Sequence, residues 1–237
     1  MQQRREVRMR KKVRLGIVGA GTIGRAHLDA CQECTGLEVA AVCDVHAGRA
    51  KSLAKEFGVP NVFTDYRDLV ATDLVDAVSV CTPNNLHMPV TLAALKADKD
   101  VICEKPLAMN ARQARRMVAA ADKAGKILMT GQSSRYTAAA GYLKTLAEGG
   151  RFGKIYYGKA MWLRRSGIPK GWFQDIEQSA GGPLIDLGVH AIDLLWWLMG
   201  RPKPVSAQGV MFDHLGRKGQ GMGDWGVGYN PTKFSVE

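Results

Sequence analysis

Over the first half of the chain, apolar residues come in short, nearly continuous blocks. Between the blocks they recur every three or four positions. The blocks at 13–19, 37–43, 76–82, 100–104 and 127–131 have the character of strands buried on both faces of a sheet. The intervening segments 22–34, 47–57, 86–97 and 111–124 carry helical periodicity. Strands alternating with helices of this length predict an α/β fold with a doubly wound parallel sheet. After Gly150 the rhythm changes. Two segments, 154–163 and 205–212, are the clear strand candidates there. A helix carrying "DLGVHAIDLLWWLMG" lies between them, and a glycine-rich loop, "GRKGQGMGDWGVGYNP", follows. There is no internal repeat and no low-complexity segment.

A length of 237 residues fits one large domain or two small ones. With 46% hydrophobic and 23% charged residues, the chain is an ordinary soluble globular sequence. No apolar run approaches the ~20 residues of a membrane span. The net charge of +11 would point to nucleic acid if it were spread over a folded face. More than half of it is instead concentrated in residues 1–14, where Arg4, Arg5, Arg8, Arg10, Lys11, Lys12 and Arg14 face only Glu6. Residues 1–12 are therefore expected to be a solvated basic tail, and nucleic acid is not an expected partner. Arg4-Arg5 does not complete an export signal, because the short apolar stretch after it runs into a glycine motif. The expectation is a cytoplasmic protein with no membrane partner. The five cysteines all lie between Cys31 and Cys103 and are read as reduced thiols, with a redox role as the lesser alternative. Cys31 and Cys34 form a C-x-x-C, but no second pair or nearby histidine completes a zinc site, so no metal is expected.

Gly19-Ala-Gly21-Thr22-Ile23-Gly24 follows the first predicted strand and opens the first helix. Such a loop alone can be no more than a tight turn. Here Asp44 ends the second strand 20 residues after Gly24, and that context indicates a dinucleotide site. Gly19 allows the turn, Gly21 lets backbone approach a pyrophosphate, and Gly24 permits close helix–strand packing. The helix N-terminus offers free N–H groups to the phosphates. A carboxylate at Asp44 would accept from ribose hydroxyls and repel a 2′-phosphate, which favours NAD, although the nearby Arg49 leaves NADP open. Two further loops follow strands, at Thr82-Pro83-Asn84-Asn85-Leu86-His87 and at Glu104-Lys105-Pro106. Thr82, Pro83, Asn85, His87, Glu104 and Lys105 join the glycine loop and Asp44 as expected cofactor contacts. The plain alternative is turn and cap chemistry. A lysine at a strand's carboxyl end could also donate to a substrate oxygen and favour its alkoxide.

Asp186 and His190 are four residues apart, so they share one helix face, with Asp193 nearby. A lone histidine there would be a core residue. A carboxylate one turn away can fix the imidazole tautomer and stabilise its cation, which makes the pair a workable proton acceptor.

The segments "GIVGAGTIGRAH", "VCTPNNLH", "VICEKPLAMN" and "GGPLIDLGVHAIDLLWWLMG" together resemble the glucose–fructose oxidoreductase/inositol dehydrogenase (Gfo/Idh/MocA) family over nearly the whole chain after the tail. The resemblance implies a Rossmann domain over 13–132. It implies an α+β domain with a mixed, mostly antiparallel sheet over 133–237. It also implies NAD(P)-dependent interconversion of hydroxyl and carbonyl on a sugar, inositol or related polyol. By motif, Lys105 resembles the family's E-K-P lysine, Asp186 and His190 its D-x-x-x-H pair, and Arg135 a basic position that lines the substrate pocket. The expected site is a nicotinamide between the Lys105 turn and the Asp186–His190 helix. There His190 or Lys105 acts as base, Asp186 orients His190, and Arg135 contacts substrate. The family pattern continues past this chain's last residue, so a truncated second domain is expected, with an incomplete sheet; a full-length form would pair into homo-oligomers through that sheet. The competing readings are a dinucleotide-binding regulator without chemistry and an inactive fragment.

Overall fold

The computed structural model describes residues 12–212, 214–220, 222–223 and 234–236. Most of the expected basic tail, and most of the glycine-rich loop, lie outside the described residues. The chain folds as two compact units. One holds the described residues up to Thr82 together with His87–Cys103 and Arg115–Met129. The other gathers Pro83–Leu86, Glu104–Ala114 and the described residues from Thr130 onward. Two loops that fall in the first half of the sequence thus belong to the second unit.

Six strands form one sheet: β1 (Val13–Val18), β2 (Leu37–Cys43), β3 (Asn61–Phe63), β4 (Ala77–Val80), β5 (Asp100–Cys103) and β6 (Leu128–Thr130). Their spatial order is β3-β2-β1-β4-β5-β6. The pairs β1–β2, β1–β4, β2–β3 and β4–β5 are parallel. The order reverses between β1 and β4, which is the position where open α/β sheets bind ligands beyond the strands' carboxyl ends. Helices α1 (Thr22–Gln32), α2 (Ala47–Phe57), α3 (Tyr66–Val70), α4 (His87–Lys96) and α5 (Ala111–Ala124) form the crossovers. Ile17, Val42, Val78, Val80 and Val101 are buried along the central strands. Leu28 from α1, Ala50 and Leu53 from α2, Val90 and Ala94 from α4 and Met117 from α5 are buried as well. This is the predicted α/β Rossmann architecture. α2 ends where Gly58 takes a left-handed conformation, and α3 starts where the Asp65 side chain accepts from the Arg67 N–H.

The second unit contains α6 (Ala138–Glu148), α7 (Ile176–Ser179) and α8 (Val189–Leu198). Thr137 caps α6 by accepting from the Ala140 N–H. Lys144 of α6 donates to the Trp197 carbonyl at 2.8 Å and sits over the Trp197 ring, tying α6 to α8. A π-helical turn, Leu184–Gly188, leads directly into α8. The segments 154–163 and 205–212, expected as strands, form no ladder. Tyr156, Leu163 and Val205 are almost fully exposed. A strand is defined by its hydrogen-bonded neighbour, and among the described residues these two segments have none. The one isolated bridge among the described residues of this unit joins Ile168 to Met222 in parallel.

Candidate functional site

In the first unit, the glycine loop has the shape a pyrophosphate needs. Gly19 has φ +108°, and a Cβ there would lie 2.4 Å from the Cys81 carbonyl oxygen. A Cβ at Gly24 would lie 1.9 Å from the Gly19 carbonyl oxygen, so α1 can approach β1 only with glycine at that position. A Cβ at Gly21 would meet nothing within 4 Å, so the loop is open at that point. Gly21 is also the N-cap of α1 and supplies no side-chain acceptor. The exposed first turn, with Thr22 and the half-buried Ile23, therefore keeps its N–H groups free for an anion.

Asp44 sits just past β2, with its side chain only 9% exposed. Its carboxylate accepts from the Ala20 N–H at 2.9 Å and the His46 N–H at 2.8 Å, and it pairs with Arg49 at 3.2 Å. It is thereby held against the glycine loop. Past β4, the Thr82 hydroxyl is buried without a partner. This cradle, free helix terminus, carboxylate and unpartnered hydroxyl fit a dinucleotide.

His87 follows the same loop. Its ring is buried, and Nε2 lies 3.0 Å from the Thr82 carbonyl oxygen. It braces the loop after β4 from inside the core. Pro83, Asn85 and Glu104, also expected at the cofactor, fall in the second unit. The Asn85 Oδ1 is buried without a partner, and Glu104 accepts from the Lys105 N–H at 3.1 Å.

In the second unit, Lys105 and Asp186 come together from positions 81 residues apart. The Lys105 Nζ donates to the Asp186 Oδ1 at 2.9 Å and to the Asp186 carbonyl at 2.8 Å. Both side chains are largely buried, at 14% and 16% exposure. His190 follows one turn later, half-buried, with its Nδ1 buried and unpartnered. Burial and the Lys105 ammonium lower its pKa, against smaller opposing contributions from Glu104, Asp186 and Asp193. Trp162 packs near its ring, with centroids 6.1 Å apart.

The Asp186 carboxylate pairs with Lys105, and the His190 Nδ1 has no hydrogen-bond partner. Arg135 is gripped by Asp193, which receives both its Nε (2.7 Å) and a terminal nitrogen. That pair fastens the turn at Ser133–Tyr136 to α8 and fixes one edge of the Arg135 guanidinium. Trp162 had no signal in the sequence, because its approach to His190 depends on tertiary folding alone.

Among the described residues, no cluster of three His, Cys, Asp or Glu could hold a metal ion, and no helix is long and apolar enough to cross a membrane. Cys43, Cys81 and Cys103 are buried thiols, and burial pushes Cys43 up to about 12.

A family model described as an oxidoreductase family with an NAD-binding Rossmann fold matches residues 13–132. A GFO/IDH/MocA C-terminal domain model matches residues 141–227. The chain is 38% identical over 233 residues to D-glucoside 3-dehydrogenase of Escherichia coli (strain K12), covering 95% of this chain and 64% of that protein. It is 31% identical over 211 residues to myo-inositol 2-dehydrogenase of Thermotoga maritima, covering 87% of this chain and 62% of that protein. Among solved structures, an oxidoreductase domain protein from Kribbella flavida superposes with a TM-score of 0.76 at 30% identity, covering 80% of this chain and 54% of the other. GenD2 from gentamicin A biosynthesis, in complex with NAD, superposes with a TM-score of 0.72 at 29% identity, covering 81% and 55%. The chain thus spans less than two thirds of these relatives. With a Rossmann model over its first half and a matching second-domain model after it, the chain belongs to the Gfo/Idh/MocA family of oxidoreductases.

Proposed function

We propose that this protein is a dehydrogenase that interconverts a hydroxyl and a carbonyl on a sugar, inositol or related polyol, with NAD preferred over NADP. The observation that carries the reading is the Lys105–Asp186 ion pair one helical turn from a half-buried His190 with an unpartnered Nδ1. A bound nicotinamide would supply the hydride acceptor. Gly19, Gly21 and Gly24, with the first turn of α1, hold its pyrophosphate, and Asp44 accepts from the adenosine ribose. Arg49 offsets part of the Asp44 charge, so NADP is disfavoured but not strictly rejected.

On the substrate side, Lys105 Nζ donates to the reacting hydroxyl oxygen and stabilises the negative charge that develops there. Asp186 keeps the ammonium in place. The neutral His190 ring, whose pKa burial and the Lys105 ammonium lower, accepts the hydroxyl proton. Trp162 excludes water from one side of that ring. A panel of inositols, aldoses, sugar acids and methyl glycosides, read by NADH or NADPH absorbance, tests the proposal. Turnover of any member with the Lys105→Met variant inactive supports it. Cofactor binding without turnover of any member would leave a dinucleotide-binding regulator.

A further inference from the structure

Beside the Lys105–Asp186 pair, the second unit forms a half-open cavity of about 400 Å³. Trp162, Ile168, Phe173, Leu187, Phe234 and Val236 are among its walls. Asp186, Asn84, Ser166, Ser179 and His214 supply polar groups to it, and the Asn84 Nδ2 is already committed to the Ser179 carbonyl at 2.7 Å. Two residues belong to both cavity and chemistry. Asp186 pairs with Lys105, and Trp162 packs near His190. The Arg164 guanidinium lies over the Trp162 ring at 5.5 Å and backs that aromatic wall. Buried Gln174 donates to the Pro169 carbonyl at 3.0 Å, and its own carbonyl accepts from the Ser235 N–H at 2.9 Å. These bonds pin the segment 234–236 to the cavity rim.

A free polyol is polar on every side. Most of the surface lining the cavity is apolar, so most of those hydroxyls would lose water there without gaining partners, which is costly. The volume falls within the ~300–1,000 Å³ of sites that enclose a ligand of drug size. We infer that the substrate is a glycoside with an apolar aglycone, whose sugar reacts at Lys105 and His190 while the aglycone fills this cavity. The inference rests on the dehydrogenase reading and narrows its substrate class. Arg164 and Arg165 are exposed and line the same cavity, so an anionic substituent is the competing occupant.

The test compares phenyl β-D-glucoside, methyl β-D-glucoside and UDP-glucose on the full chain, by turnover with NAD and by calorimetric binding. Burying one phenyl ring should lower KM and Kd by about 10- to 100-fold relative to the methyl glucoside. Phe173→Ala, which removes a wall, and Ile168→Trp, which fills the space, should each bring that ratio close to one while the methyl glucoside keeps its KM. Equal KM and Kd for the two glucosides, a preference unaltered in both variants, or tighter binding of UDP-glucose would overturn the inference. Tighter binding of the phenyl glucoside without turnover would keep the cavity's role and remove the dehydrogenase. Equal affinity with turnover would do the reverse.

Discussion

Desolvation and the Lys105 ammonium both oppose a charged ring at His190. His190→Ala should lower kcat by about 10²–10⁴-fold with NAD affinity nearly unaltered, the usual span for one acid–base group. Steady-state kinetics and an NAD titration read the two effects separately, and unaltered turnover would take the histidine out of the reaction. The same depressed pKa sets a sign for stability. A histidine held neutral in the fold stabilises fully above its unfolded value of 6.5. As pH drops below 6.5, the unfolded chain takes up the proton first and this stability is progressively lost. The melting temperature should therefore fall more between pH 7.5 and pH 5.5 in the parent than in His190→Gln. Equal falls would show that the ring's environment does not oppose its charge.

At the level of elements, two glycines of α1 make opposite predictions. Gly24→Ala puts a methyl group 1.9 Å from a backbone oxygen that cannot swing aside, so α1 must move off β1. Overpacking of this kind typically costs about 1–3 kcal/mol, measurable by urea unfolding. Gly21→Ala meets nothing within 4 Å and should leave stability intact, yet it crowds the side a pyrophosphate would occupy and should weaken NAD. If Gly21→Ala binds NAD as well as the parent, the loop is only a turn. Elements with a long period and clear ends were legible in the sequence. β2, α2 and α5 have the bounds the pattern predicted. β3 and α3, three and five residues long, are too short to show a period, although Asp65 marks the start of α3. α6 escaped because "AAAGYLKTLAE" is alanine-rich and interrupted by Gly141. The segments 154–163 and 205–212 show the opposite failure, since alternation implies a strand but cannot provide the neighbour it needs. For the site, the spacing of Asp186 and His190 was readable. The preference of Asp186 for Lys105, and of Asp193 for Arg135, was not, because each pairing joins residues far apart in sequence.

For the molecule as a whole, the net charge of +11 is weighted toward the first residues, which leaves the remainder only mildly basic. A larger consequence follows from how the chain is divided. The Glu104-Lys105-Pro106 turn is encoded within the first 132 residues but folds with the residues after Thr130. Splicing residues 1–132 onto the back half of another family member would import Lys105 into a foreign setting. Its ammonium would then have to meet an Asp186 counterpart and carbonyl set by a different helix. Such hybrids should keep nucleotide affinity while losing turnover, and a donor fragment spanning residues 83–237 should restore it. On the proposed reading, any exchange of the second unit would have to carry this loop with it, because the loop brings Lys105.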